Sequence, residues 1–91
     1  MSFEDYKSLV AQSESVGAAL ICARVANNLS LEDMAARTKV STRFLRALEA
    51  DDFSIFASRI YIMGFAKAYA KVVGLDIEGV VDSLRRQLAT Q

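Results

Sequence analysis

Two copies of one local device, set close together, constrain this chain more than anything else in it. Leu29-Ser30 is followed by Asp33 and Met34, and Val40-Ser41 is followed by Leu45. Each is a serine at a helix N-cap between apolar residues at N′ and N4, the arrangement of a hydrophobic staple. Asp33 stands at N3 of the first and makes it a short capping box. The first helix is expected to end near Thr38 and the second near Ala50, so only Lys39-Val40-Ser41 separates them. Two short helices joined that tightly form a helix-turn-helix. Ala35 is small where the pair must approach closely, and Met34, Val40, Leu45 and Leu48 are apolar where it packs on the rest of the domain.

The flanking segments read as helices too. One runs from about Ser15 to Asn27, with Val16, Leu20, Ala23 and Ala26 on its inner face and Asn27-Asn28 as its end. Another runs from near Ser58 to Val73, where Gly74 supplies a left-handed terminating residue. Asp76 caps the last, whose apolar stripe is Ile77, Val80, Val81, Leu84 and Leu88. The expectation is an all-α, five-helix domain over residues 14–91 with the helix-turn-helix at its centre. Residues 1–13 are set apart by acidity and read as a tail or a short extra helix, with Phe3, Tyr6 and Val10 at helical spacing.

Composition supports one small domain and removes several functions. The chain has 91 residues, 53% hydrophobic and 24% charged, with no proline and four glycines; that is globular and favours helices. There is no histidine and a single cysteine, Cys22, so neither a disulfide nor a metal site of the usual ligands is expected. No glycine-rich phosphate loop or nucleophile motif occurs, so neither an enzyme nor a bound cofactor is expected. The uncharged run Ile60 to Ala66 is far too short to span a bilayer. A lone cysteine suits a reduced, cytoplasmic setting, and no membrane contact is expected from this segment itself.

Formal net charge is zero but unevenly spread: residues 1–15 carry −2 and residues 16–50 carry +2. That is a weaker basic bias than dedicated nucleic-acid binders show. The outer face of the third helix nonetheless offers Thr42, Arg43 and Arg46, with Lys39 and Ser41 in the turn before it. In a reader of double-stranded DNA this face enters the major groove, with Arg43 and Arg46 on guanine edges or phosphates. Such a reader acts as a homodimer on a palindromic site. Arg24 and Glu49 lie on helices expected to be neighbours and are candidates for a structural ion pair.

Several stretches are shared with a known group. Val16-Gly17-Ala18-Ala19-Leu20, Ala23-Arg24, Leu29-Ser30-Leu31-Glu32-Asp33-Met34-Ala35, Leu45-Arg46-Ala47-Leu48-Glu49 and Asp52-Phe53 follow one another in order. Then come Tyr61-Ile62-Met63-Gly64-Phe65-Ala66-Lys67-Ala68-Tyr69-Ala70 and Val73-Gly74-Leu75-Asp76. Over residues 16 to about 76 the chain resembles the RodZ-type cytoplasmic domain, a branch of the lambda-repressor-like (Xre) helix-turn-helix class. The resemblance implies a lambda-repressor-like fold and an adaptor for the bacterial actin MreB in cell-shape control. It also implies a cytoplasmic location, in the family as part of a single-span membrane protein. The family's aromatic contact to the filament falls here on Tyr61 and Phe65, with Tyr69 in the same pattern. Ile21, Met63 and the absence of proline near Ala57-Ser58 depart from the family's habits.

The residues of the fourth helix support that implication independently. Tyr61, Ile62, Phe65, Ala66, Tyr69, Val72 and Val73 make an apolar face wider than packing on one neighbour needs. Arg59, Lys67 and Lys71 line its other side. An aromatic edge beside basic residues suits a protein partner with acidic and apolar contacts. Tyr61, Phe65, Tyr69, Arg59 and Lys67 are therefore the candidate partner-binding set, and the DNA face of the third helix is the alternative.

Overall fold

A computed structural model describes residues 15–90; the expectation for residues 1–13 lies outside them. The described residues form five helices and no strand: α1 Val16–Ala26, α2 Leu31–Thr38, α3 Thr42–Glu49, α4 Arg59–Val73 and α5 Ile77–Ala89. These limits are the expected ones to within a residue or two, because most are set by local chemistry. Ser15 accepts from the Ala18 amide at the start of α1. At α2, Ser30 and Asp33 exchange both bonds of a capping box. Asp76 accepts from the Gly79 amide to begin α5. Ser41 and Ser58 occupy the N-cap positions of α3 and α4, but neither hydroxyl makes a capping bond. The start of α3 is held instead by its staple, since Val40 and Leu45 are both buried.

The first four helices are each followed by a residue in the left-handed region: Asn28, Lys39, Asp51 and Gly74. After α3 the Asp51 amide donates to Leu48 O and the Asp52 amide to Ala47 O. That pair of bonds is a Schellman motif, which satisfies carbonyls the helix end would otherwise orphan. Lys39, with φ 63°, holds the position in the turn where glycine is common.

The core runs through all five helices. Leu20, Met34, Leu45, Leu48, Tyr69 and Leu84 are its largest fully buried side chains. Each buried leucine contributes about 1.5–3 kcal/mol relative to exposure. Two aromatic residues of the α3–α4 connection, Phe53 and Phe56, are buried as well. Ala26, expected on the inner face of α1, is exposed, since that face is already filled by Val16, Leu20 and Ala23.

Gly17 decides how closely α1 crosses the end of α3. A Cβ at this position would lie 2.4 Å from the Glu49 carbonyl oxygen and 2.8 Å from that of Leu48. Only glycine permits the approach. The free amides of the first turn of α1 are then met from outside the helix. Val16 N donates to Gln87 Oε1 at 2.9 Å and Gly17 N to Asp51 Oδ1 at 2.9 Å. Gln87 Nε2 donates to the same Asp51 oxygen at 2.7 Å, which ties α1, the α3–α4 connection and α5 at one point.

Candidate interaction surfaces

Arg24, Glu49 and Tyr69 meet in the interior edge between α1, α3 and α4. Arg24 Nε lies 2.8 Å from Glu49 Oε2 and Nη2 lies 3.2 Å from Oε1, a two-pronged pairing. The remaining prong, Nη1, donates to Leu29 O at 3.0 Å. Tyr69 donates its hydroxyl to Glu49 Oε2. The hydrogen bond to Glu49 holds the Arg24 guanidinium above its ordinary pKa. Burial, and then Glu49 as acceptor, push the Tyr69 phenol well above its usual range, so it remains a protonated donor. The node is architectural: every polar atom it buries has a partner.

That node corrects one expectation. Tyr69 does not belong to a partner-binding surface, because its ring is fully buried and its hydroxyl is committed to Glu49. The wide apolar face of α4 divides into two. Ile62, Ala66, Tyr69, Ala70 and Val73 face the core. Phe65 is half-buried, while Tyr61 is 54% exposed.

The exposed edge of α4 is an aromatic ridge with a foundation. The Tyr61 and Phe65 ring centroids are 6.2 Å apart. Phe65 rests on Phe44 of α3 at 5.5 Å and on Phe56 of the connection at 5.8 Å, all in tilted geometries. Phe44 and Phe56 are themselves 5.3 Å apart. Ile60, the residue before Tyr61, is 81% exposed. Gly64 opens the same side of the helix, with nothing within 4 Å of where its Cβ would be. Lys67 and Lys71 are exposed further along α4, on the other side of the helix from Phe65. Arg59 is exposed but directed to the end of α5, where Nη2 donates to Leu88 O at 3.4 Å, a cation against a helix C-terminus.

On α3, Arg43 and Arg46 are exposed, as are Lys39 and Ser41, while Thr42 is half-buried. Arg43 lies over the Phe44 ring at 5.9 Å. Neither Arg43 nor Arg46 is ion-paired with a described residue. The α3 and α4 surfaces are therefore joined through Phe44 and Phe65. The sequence did not single out half-buried Phe44 or exposed Ile60. The neighbours of Phe44, Arg43 and Leu45, draw attention instead to an exposed cation and a core leucine. The exposure of Ile60 has no sequence signal beyond its place in the first turn.

Among the described residues, two short helices joined by the turn Lys39-Val40-Ser41 and packed by three further helices make a helix-turn-helix domain. The chain belongs to the helix-turn-helix domain family, which it matches over residues 19–80, and the domain is of the RodZ type. It is 36% identical over 72 residues to the cytoskeleton protein RodZ of Streptococcus pneumoniae, covering 79% of this chain and 26% of that protein. It is 35% identical over 60 residues to the uncharacterized membrane protein YmfM of Bacillus subtilis, covering 66% of this chain and 21% of that one. The chain thus spans about a quarter or less of the length of these relatives. No solved structure matches significantly. Among the described residues no helix is long and apolar enough to cross a membrane.

Proposed function

We propose that this domain is a non-enzymatic adaptor that binds an MreB-like bacterial actin filament on the cytoplasmic side through the exposed edge of α4. The observation that carries the reading is the Tyr61–Phe65 ridge, a large aromatic surface left outside a core that is otherwise filled. Aromatic side chains lose little entropy on docking and dominate interface energetics. Lys67, exposed on the same helix, suits an acidic rim on the partner, and likeness to a cytoskeleton protein supports the partner class. Co-sedimentation with MreB-like filaments tests it. Tyr61→Ser is the clean variant, because the ring is mostly in solvent; it is expected to abolish co-sedimentation while circular dichroism stays native. Unchanged co-sedimentation of Tyr61→Ser and Phe65→Ser would overturn the reading.

A second reading, a DNA-binding regulator of the Xre class, is favoured by one observation: Arg43 and Arg46 stand exposed on α3, without ion pairs to any described residue, next to Lys39 and Ser41. It requires salt-sensitive binding that an Arg43→Ala, Arg46→Ala double variant loses. Failure to retard any promoter fragment at low salt rejects it.

A further inference from the structure

The aromatic ridge on α4 is the outer part of a larger cluster of rings. Phe44, Phe56 and Phe65 form a closed triangle with centroids 5.3, 5.5 and 5.8 Å apart, and Tyr61 lies 6.2 Å beyond Phe65. The cluster grades from interior to solvent: Phe56 is buried, Phe44 and Phe65 are half-buried and Tyr61 is exposed. Its members come from three places in the chain, Phe44 from α3, Phe56 from the α3–α4 connection, and Phe65 and Tyr61 from α4. Helical spacing alone sets Tyr61 and Phe65 one turn apart, but it leaves each ring more than one staggered rotamer. The ring contact of Tyr61 is Phe65, and Phe65 in turn leans on Phe44 and Phe56. Order in the ridge is therefore handed outward from the triangle.

We infer that Phe44 is a positioning residue for the Tyr61–Phe65 ridge, an inference that rests on the adaptor reading of that ridge. Phe44 reaches Phe65 from α3, and the Arg43 guanidinium lies over its ring at 5.9 Å. Tilted ring pairs at these separations are directional, so Phe44 and Phe56 together set the Phe65 ring, and Phe65 sets the side on which Tyr61 lies. A side chain already ordered before docking loses less freedom when a partner binds. The third helix, whose outer face would enter a DNA groove in a regulator, thus serves the adaptor from its other edge as a buttress to α4. Phe56 shares this support, but it is buried and belongs to the core. Half-buried Phe44 is the place where the support can be altered while the core stays closed.

Titrated co-sedimentation of the full chain with MreB-like filaments tests this, read beside aromatic 13C relaxation of the unbound protein. Phe44→Leu keeps an apolar side chain and removes the ring. It is expected to weaken binding about ten-fold and to lower the order of the Phe65 and Tyr61 rings, with circular dichroism native. Phe44→Tyr restores a ring and is expected to bind within about two-fold of the wild type. Val80→Ala is the control, a core truncation on α5, which gives no ring to the cluster. It is expected to lower stability while binding and ring order stay as they are. Wild-type binding by Phe44→Leu, where Tyr61→Ser abolishes binding, overturns the inference and leaves the adaptor reading standing. Weaker binding with ring order unchanged also overturns it, because Phe44 would then touch the partner itself. So does an equal loss in Val80→Ala, which would make the effect one of stability. If neither Tyr61→Ser nor Phe44→Leu alters co-sedimentation, the adaptor reading falls and the inference falls with it.

Discussion

The hydroxyl of Tyr69 donates to the Glu49 carboxylate at the oxygen that also receives Arg24 Nε, so one acceptor joins α1, α3 and α4. A tyrosine that lies in the most distinctive stretch of the chain thereby serves the fold, while Tyr61, two turns earlier, faces solvent. Tyr69→Phe keeps the ring and removes one donor from a carboxylate that retains Arg24. It is expected to lower stability by about 1–2 kcal/mol and to leave filament co-sedimentation unchanged. Arg24→Ala strips the carboxylate of its charge partner and is expected to cost about 3–5 kcal/mol. Urea denaturation measures both, and an Arg24→Ala variant as stable as the wild type would remove the node's structural role.

Gly17→Ala is expected to be among the most damaging single methyl additions in the protein. The added carbon would meet backbone atoms of Glu49 and Leu48, which have no rotamer to escape through. α1 would have to lift from α3, pulling Val16 and Gly17 from Gln87 and Asp51. A loss of about 3 kcal/mol or more is expected, read from the urea midpoint.

Two substitutions are expected to stabilise. Gly64 lies mid-helix in α4 with open space around it, so Gly64→Ala gains about 1 kcal/mol from helix propensity. Lys39 holds a left-handed conformation on the surface, and Lys39→Gly relieves up to about 1 kcal/mol of strain. Thermal melts of the two single variants and their double check both values. The sites share no partner, so the gains are expected to add.

The capping box makes α2 sensitive to acid. The Ser30 backbone amide, and then its hydroxyl, hold the Asp33 carboxyl below its ordinary pKa. A group depressed in the folded state stabilises above its unfolded pKa, and that contribution is lost as pH falls through the folded value. The stability gap between wild type and Asp33→Ala is therefore expected to be full at pH 6 and to close below about pH 4. A gap that persists unchanged to pH 2 would show that the carboxylate's charge is irrelevant to the cap.

The sequence by itself determined the helices and their limits, because the signals that start and stop them are local. Ser30 with Asp33, Asp76 with the Gly79 amide, and Gly74 in the left-handed region act within a few residues of themselves. The staples of Val40 with Leu45 and Leu29 with Met34 do the same, and together they made the helix-turn-helix legible. Only the tertiary structure decided which part of the broad apolar stripe on α4 is core and which is surface. Helical periodicity gives the angle of Tyr61, Phe65 and Tyr69 around the axis. It does not give the position of the neighbours that cover the stripe. Here Glu49 claims Tyr69, while Phe44 and Phe56 support Phe65 from beneath and leave Tyr61 in water. The bonds from Gln87 and Asp51 to the start of α1 were hidden for the same reason. They join residues 71 and 34 positions apart, and no local pattern encodes such a distance.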